Sequence, residues 1–258
     1  MSGAPIHAAA DRGYAVGAQT YVAGRPGYPP ETAAWLRETI ALGPGRRVLE
    51  LGAGTGKFLP HLLATGADVT ALEPVPAMRA ELARLNPGVT AIDGTAEHIP
   101  LASGSLDAVV CAQSFHWFAN AAALAEIRRV LRPGGVLGLI WNVRDERIGW
   151  VAALGRIIAP HQGDAPRYYA GEWRRLFPAE GFEQLPERHA RNDHVGSAEQ
   201  VILDRTLSVS FIAALPPDER ARVADQVRAF VAATPELAGR DPVAFPYETA
   251  MYAWRKLG

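Results

Sequence analysis

Cysteine is almost missing from this chain of 258 residues. Cys111 is the single copy, which excludes an internal disulfide and any zinc cluster built on cysteine. An excess of either charge is missing too: the formal net charge is −1 and no five like charges run together. Neither a phosphate backbone nor an acidic membrane surface is therefore an expected partner. No apolar run approaches the eighteen or so residues of a membrane-crossing helix. The opening, "MSGAPIHAAADRG", has neither a basic n-region nor an apolar h-region, so a cytoplasmic soluble protein is expected. Among the histidines only His189 and His194 lie near each other, five apart and without an ordered acidic cluster. No metal site is expected. Repeats and low-complexity linkers are also lacking.

What is present is ordinary in bulk, with 48% apolar and 21% charged residues, as in a soluble globular protein. The length suits one large domain. The first half alternates strand and helix signals, which predicts a parallel sheet covered on both faces. A helix starts after Pro29-Pro30 in "ETAAWLRETIAL", and strand one is expected over residues 46–51, with a helix after it running to about Ala64. "ADVTALE", "GVTAID", "SLDAVVCAQ" and "GVLGLIW" are expected to be strands two to five. Residues 108–112 are entirely apolar, as in a strand buried on both faces. Asn120 can cap "AAALAEIRRVL", and "RPGG" stops that helix. Beyond Trp141 the alternation weakens. "RIGWVAALGRIIA" and "PDERARVADQVRAFVAA" read as amphipathic helices, and "VAFPYETAMYAWRK" as a late strand.

The informative stretch is "VLELGAGTGKFL", where three glycines join a strand pattern to a helix pattern. A phosphate-binding P-loop would need its first glycine at Leu51 and a hydroxyl at Phe58. A dinucleotide fingerprint would need its third glycine at Lys57. What stands instead is an acid, Glu50, followed by Gly52, Ala53, Gly54 and Gly56. The glycine turn lets backbone approach a ligand at the carboxyl end of a parallel strand. Glu73 ends strand two, 21 residues beyond Gly52, with Pro74 next. A carboxylate there can accept from both ribose hydroxyls and repel a ribose phosphate; the alternative is a solvated strand-end acid. In "DGTAEHIPL", Thr95, Ala96 and Glu97 form a loop able to flank an adenine.

Glu50 to Gly56, Glu73, "DGTAEHIPL", "LDAVVCAQSFHWF" and "RRVLRPGGVLGLIW" together resemble the class I S-adenosylmethionine-dependent methyltransferases. The resemblance is to the small-molecule branch, type 11 and trans-aconitate-methyltransferase-like, and is strongest over residues 21–141. It implies a doubly wound Rossmann-like sheet of seven strands in the order 3-2-1-4-5-7-6. Residues 1–28 would form an N-terminal lid, 29–142 the cofactor-binding core, and 143–258 the substrate-side helices and last two strands of a single domain. It implies S-adenosyl-L-methionine as cofactor, with the glycine loop and Glu50 facing its methionine part. Glu73 would hold the ribose, Ala96 and Glu97 border the adenine, and Gln113 contact the methionyl portion. The N-terminal stretch "YVAGRPGYP" would fold over the cofactor, Tyr21 closing over it and Arg25 pairing with its carboxylate; the alternatives are that Arg25 is a surface charge and that Tyr28 packs on the following helix.

Rival chemistries fit less well. Tyr252 and Lys256 have short-chain-dehydrogenase spacing but lie in a strand pattern at the end of the chain. Cys111 sits in an apolar strand without a preceding proline, so it is a packing residue rather than a nucleophile. "QSFHWF" replaces the Asp/Asn-Pro-Pro-aromatic motif of nucleic-acid amino methylases. The expected reaction is methylation of a small molecule, at a hydroxyl or carboxylate oxygen. The alternative is a binder of the same cofactor that does not methylate. His116 is the candidate catalytic base, with pocket shaping as the other reading. Asn142 and Arg144, ending strand five, face substrate or merely cap and solvate.

Overall fold

The computed structural model describes residues 25–258, so Tyr21 and the proposed lid before Arg25 lie outside the described residues. The chain opens with α1 (Glu31–Glu38) and β1 (Arg47–Leu51), then α2 (Leu59–Leu63), β2 (Asp68–Leu72), α3 (Pro76–Leu85) and β3 (Thr90–Ile92). β4 (Leu106–Ala112), α4 (Ala121–Val130) and β5 (Leu131–Arg144) complete the alternating half. Asn120 caps α4, its side chain accepting from the Ala123 amide at 2.9 Å. After α5 (Gly149–Ile158) come β6 (Phe182–Gln184) and β7 (Arg188–Gly196). α6 (Arg205–Leu207), α7 (Ser210–Ala213), α8 (Pro217–Ala233) and β8 (Val243–Lys256) follow.

Strands β3, β2, β1, β4 and β5 pair parallel in that order, and β8 adds antiparallel to β5. Both β6 and β7 pair antiparallel with β8, at opposite ends of it. They are two parts of one edge strand: the Leu185 amide still donates to Ala253 O, and the ladder lapses over Pro186, which has no N–H. Counted so, the order is the expected one, with the late strand inserted between β5 and the edge. β5 starts earlier than the sequence suggests. Leu131 pairs with Leu106 and the ladder resumes at Val136, residues 132–135 bulging between. The helix after the glycine loop is also shorter than expected, because 54–58 are turns.

Alternation along the central strands feeds two cores. Leu49, Val109, Leu139 and Trp141 point to the face covered by α4, through Leu124, Ile127 and Val130. Val48, Val110 and Ile140 point to the other, where Trp35, Leu36, Phe58 and Leu62 pack. Fully burying such a side chain is worth roughly 1.5–3 kcal/mol. A third cluster joins α5 and α8 to Val201, Ile202, Phe245 and Tyr247. Because β8 runs antiparallel and Tyr247 pairs with Arg144, this helical cap sits over the carboxyl ends of the parallel strands. No helix of the described residues is long and apolar enough to cross a membrane.

Candidate active site

At the carboxyl edge of the sheet the glycine loop closes against β2. The Gly52 and Ala53 amides donate to Leu72 O at 2.9 and 3.1 Å, and Gly54 N–H donates to Glu73 Oε2 at 2.8 Å. Gly52 has φ +71°, and a Cβ there would come within 2.8 Å of Ser114 Cβ. Ser114 Oγ in turn donates to Leu51 O at 2.7 Å, tying the loop after β4 to the end of β1. Only glycine fits this junction.

The loop borders a cavity of about 270 Å³. Of the described cofactor candidates, Arg25, Glu50, Gly52, Ala53, Gly54, Glu73, Pro74, Thr95, Ala96, Glu97 and Gln113 all line it. Gly56 does not. It turns the chain behind the loop, where a Cβ would strike Leu59 and Asn86 at 2.8 and 2.7 Å.

Two buried carboxylates share one wall. Glu73 is held by backbone, Oε1 accepting from the Val75 amide at 2.9 Å and Oε2 from Gly54. Burial raises its pKa, partly offset by those amides and by Arg79. Glu50 is 1% exposed, and its Oε2 has no hydrogen-bond partner. Burial, with the Glu73 charge added, pushes its carboxyl well above the usual range. Thr55 and Thr95, in the same lining, also hold buried hydroxyls without partners. Glu97 Oε1 accepts from Asn120 Nδ2 at 2.8 Å.

A second group on the lining is cationic: Arg25, Lys57 and Arg205. Lys57 Nζ donates to the Arg25 carbonyl, and burial plus the charges of Arg25 and Arg205 lower its pKa to about 8. Arg25 Nη2 donates to Ser208 O at 3.0 Å. Tyr28 packs edge-on against Phe58, ring centroids 4.7 Å apart. Gln113 joins the carboxyl ends of β4 and β5 with φ +59°, unusual for a residue with a side chain, and donates its amide to Ile140 O. Such backbone strain, costing about 1–3 kcal/mol, concentrates at functional sites.

His116 lies outside this lining. It walls a second cavity of about 100 Å³ that shares Arg25, Gln113, Trp117, Asn142 and Arg205 with the first. Its Nδ1 accepts from Trp141 Nε1 at 3.2 Å, and burial together with Arg25 and Arg167 lowers its pKa to about 3. Asn142 and Arg144 also line the second cavity. Sequence reasoning missed Ser114, Arg167, Arg205 and Tyr247. For Arg205 a signal existed: it is the one cation in "VILDRTLSVSF", a stretch in which six of eleven residues are apolar.

A parallel sheet extended by an antiparallel late strand, with a glycine loop and two strand-end acids at its carboxyl edge, is the class I methyltransferase arrangement. The comparisons agree. The methyltransferase domain family matches residues 49–139. A Mycobacterium tuberculosis protein named as an uncharacterized methyltransferase is 44% identical over 237 residues, 92% of each chain. A solved Anaeromyxobacter dehalogenans protein assigned as a type II methyltransferase superposes with TM-score 0.66. It is 27% identical, over 90% of this chain and 98% of that one. The 4+2 cyclase SpnF superposes with TM-score 0.58 over 100% of both chains at 20% identity, a likeness of fold alone. The chain belongs to the methyltransferase family.

Proposed function

We propose that the protein transfers a methyl group from S-adenosyl-L-methionine to an oxygen of a small-molecule acceptor. The observation that carries this reading is the pairing of Glu50 and Glu73 on one cavity wall, Glu50 with an unsatisfied buried oxygen. The two acids, whose charge burial disfavours until a cation arrives, give no support to the phosphates of ATP or a nicotinamide dinucleotide. They suit a phosphate-free nucleoside carrying positive charge. Glu50 would take the ammonium group and Glu73, fixed by two amides, would accept from ribose hydroxyls with its remaining lone pairs. Thr95, Ala96 and Glu97 would border the base. Arg25 and Lys57 would meet the amino-acid carboxylate. The cofactor supplies a methyl carbon on a sulfonium, so the acceptor's lone pair forms the new bond as the carbon–sulfur pair returns to sulfur.

The residues around the acceptor then have to orient it and exclude water. A hydroxyl acceptor would need a base as well. His116, neutral across the physiological range and with Nδ1 engaged by Trp141, is poorly suited to that task. A carboxylate oxygen needs no base, and the reading favours it. The competing reading is a binder of the same cofactor that does not methylate, for which the shared fold of a cyclase is the support. Calorimetry with S-adenosylhomocysteine, ATP and NAD tests the ligand. Release of S-adenosylhomocysteine from S-adenosylmethionine in the presence of carboxylic-acid acceptors tests the reaction.

A further inference from the structure

The smaller cavity is lined, among the described residues, by four arginines and by neither aspartate nor glutamate: Arg25, Arg144, Arg167 and Arg205. The charges of Arg144, Arg167 and Arg205 are incompletely met. Arg144, 8% exposed, pairs with Glu146 at 3.2 Å, whose own side chain is 42% exposed. Arg167 Nη1 donates to the neutral Gln162 Oε1 at 2.9 Å and lies over the Phe211 ring, 5.2 Å from its centroid. Arg205 Nε is buried with no hydrogen-bond partner, and the group that supports the Arg205 charge is the phenol of Tyr247, not a carboxylate. Burial and the neighbouring guanidinium groups lower the pKa of Arg205 to about 10, which still leaves it charged near neutrality. Crowding Arg144, Arg167 and Arg205 together with one half-exposed carboxylate, Glu146, is costly, and a fold that does so has a use for an anion there. Aromatic rings, among them Trp117, Trp141, Tyr168 and Phe211, form part of the remaining lining, beside the polar Gln113, Asn142 and Ser210. The cavity volume, about 100 Å³, is of the order that accommodates a single ring.

We propose that this cavity is the acceptor subsite and that it selects a carboxylic acid with an apolar, planar body, its carboxylate held by Arg144, Arg167 and Arg205. Guanidinium forks match a carboxylate geometrically, and the aromatic walls take the body. The word acceptor rests on the proposed function; the anion site itself does not.

The test uses the full chain, with and without saturating S-adenosylhomocysteine, and the probes phenylacetate, benzoate and uncharged phenylacetamide. Calorimetry at low and at raised sodium chloride should show phenylacetate or benzoate binding at least about tenfold more tightly than phenylacetamide, and weakening with salt. Arg167→Gln should cost about tenfold or more in acid affinity, Arg167→Lys should restore part of it, and S-adenosylhomocysteine affinity should stay within about twofold of wild type. Arg144→Gln serves as the second variant should Arg167→Gln melt early. Equal binding of acid and amide, no saturable binding of either acid, or undiminished acid binding in both glutamine variants overturns the inference. Acid binding without S-adenosylhomocysteine binding would sink the cofactor reading and leave the anion site standing.

Discussion

The indole nitrogen of Trp141 lies 3.2 Å from Nδ1 of His116, and it can only donate, so the imidazole accepts there and carries its proton on Nε2. This bond, burial and the nearby Arg25 and Arg167 charges keep His116 neutral. His116→Gln is therefore expected to retain most turnover, and the kcat profile should show no inflection of this residue between pH 5 and 8. A loss of about 10²-fold or more in both His116→Gln and His116→Asn would restore the base. Stability is the place where the histidine should be felt. Its folded pKa, about 3, lies below the unfolded value of 6.5, so the unfolded chain binds the extra proton. The stabilising contribution is complete above pH 6.5 and is lost as pH falls toward 3. Melting temperatures from pH 7 down to pH 4 should fall less steeply in His116→Gln.

Glu50 carries the opposite sign. Its carboxyl titrates higher in the folded protein than in the unfolded chain. The folded state holds the proton longer, so stability falls as pH rises above the ordinary glutamate range. Glu50→Gln should therefore melt higher than wild type at pH 8, by about 2–4 °C for each kcal/mol relieved, and match it near pH 4. The same variant should bind S-adenosylmethionine roughly 1.5–3 kcal/mol more weakly, the scale of a charged hydrogen bond. A variant that melts no higher at pH 8, and binds as well as wild type, would remove Glu50 from the site.

Glu73 has a structural duty and a proposed ligand duty, and they separate by measurement. Glu73→Ala removes the acceptor of the Gly54 and Val75 amides. The melting temperature should fall, and affinity for S-adenosylhomocysteine should weaken by about 1–3 kcal/mol. Wild-type affinity in the calorimeter would refute the ribose assignment, however far the melting temperature had dropped.

The acidic half of the site was legible because its residues come from the ends of consecutive strands, where spacing and glycine pattern carry the information. Glu50, Glu73 and the loop 95–97 converge as the alternation of strand and helix requires. The arginine half was not. Arg167 and Arg205 reach the same edge from segments without strand–helix alternation, brought there by the cap packed on Phe245 and Tyr247. Likewise β8 announced itself by an apolar pattern, and α8 ended where its stripe ended. β7 did not, because an edge strand with one wet face reads as polar: in "RHARNDHVG" only Ala190 is buried. His116 lines the neighbouring cavity, and its bond to Trp141 depends on β5 lying beside β4, a relation that no local pattern encodes.

A strap of residues 25–30 leads into α1. The Gly27 carbonyl accepts from Asn142 Nδ2 at 2.9 Å and from Asn192 Nδ2 at 2.8 Å. Asn142 is held in turn, its Oδ1 accepting from Thr249 Oγ1 at 2.6 Å and from Asn192 at 3.0 Å. One carbonyl of the strap is thus fastened to β5, β7 and β8 beside the cavity that Arg25 and Tyr28 line. Segments that close over a ligand belong to the less stable parts of a fold and gain protection when it binds. Limited digestion with subtilisin, read by mass spectrometry, should cut near residues 25–28 faster in Asn142→Ala/Asn192→Ala than in wild type. S-adenosylhomocysteine should slow cutting in wild type, and slow it less in Arg25→Ala, whose melting temperature without ligand should stay near that of wild type. If cutting at this segment is the same in all three proteins, with and without ligand, the asparagine fastening does not control the strap, and Arg25 does not couple it to the cofactor.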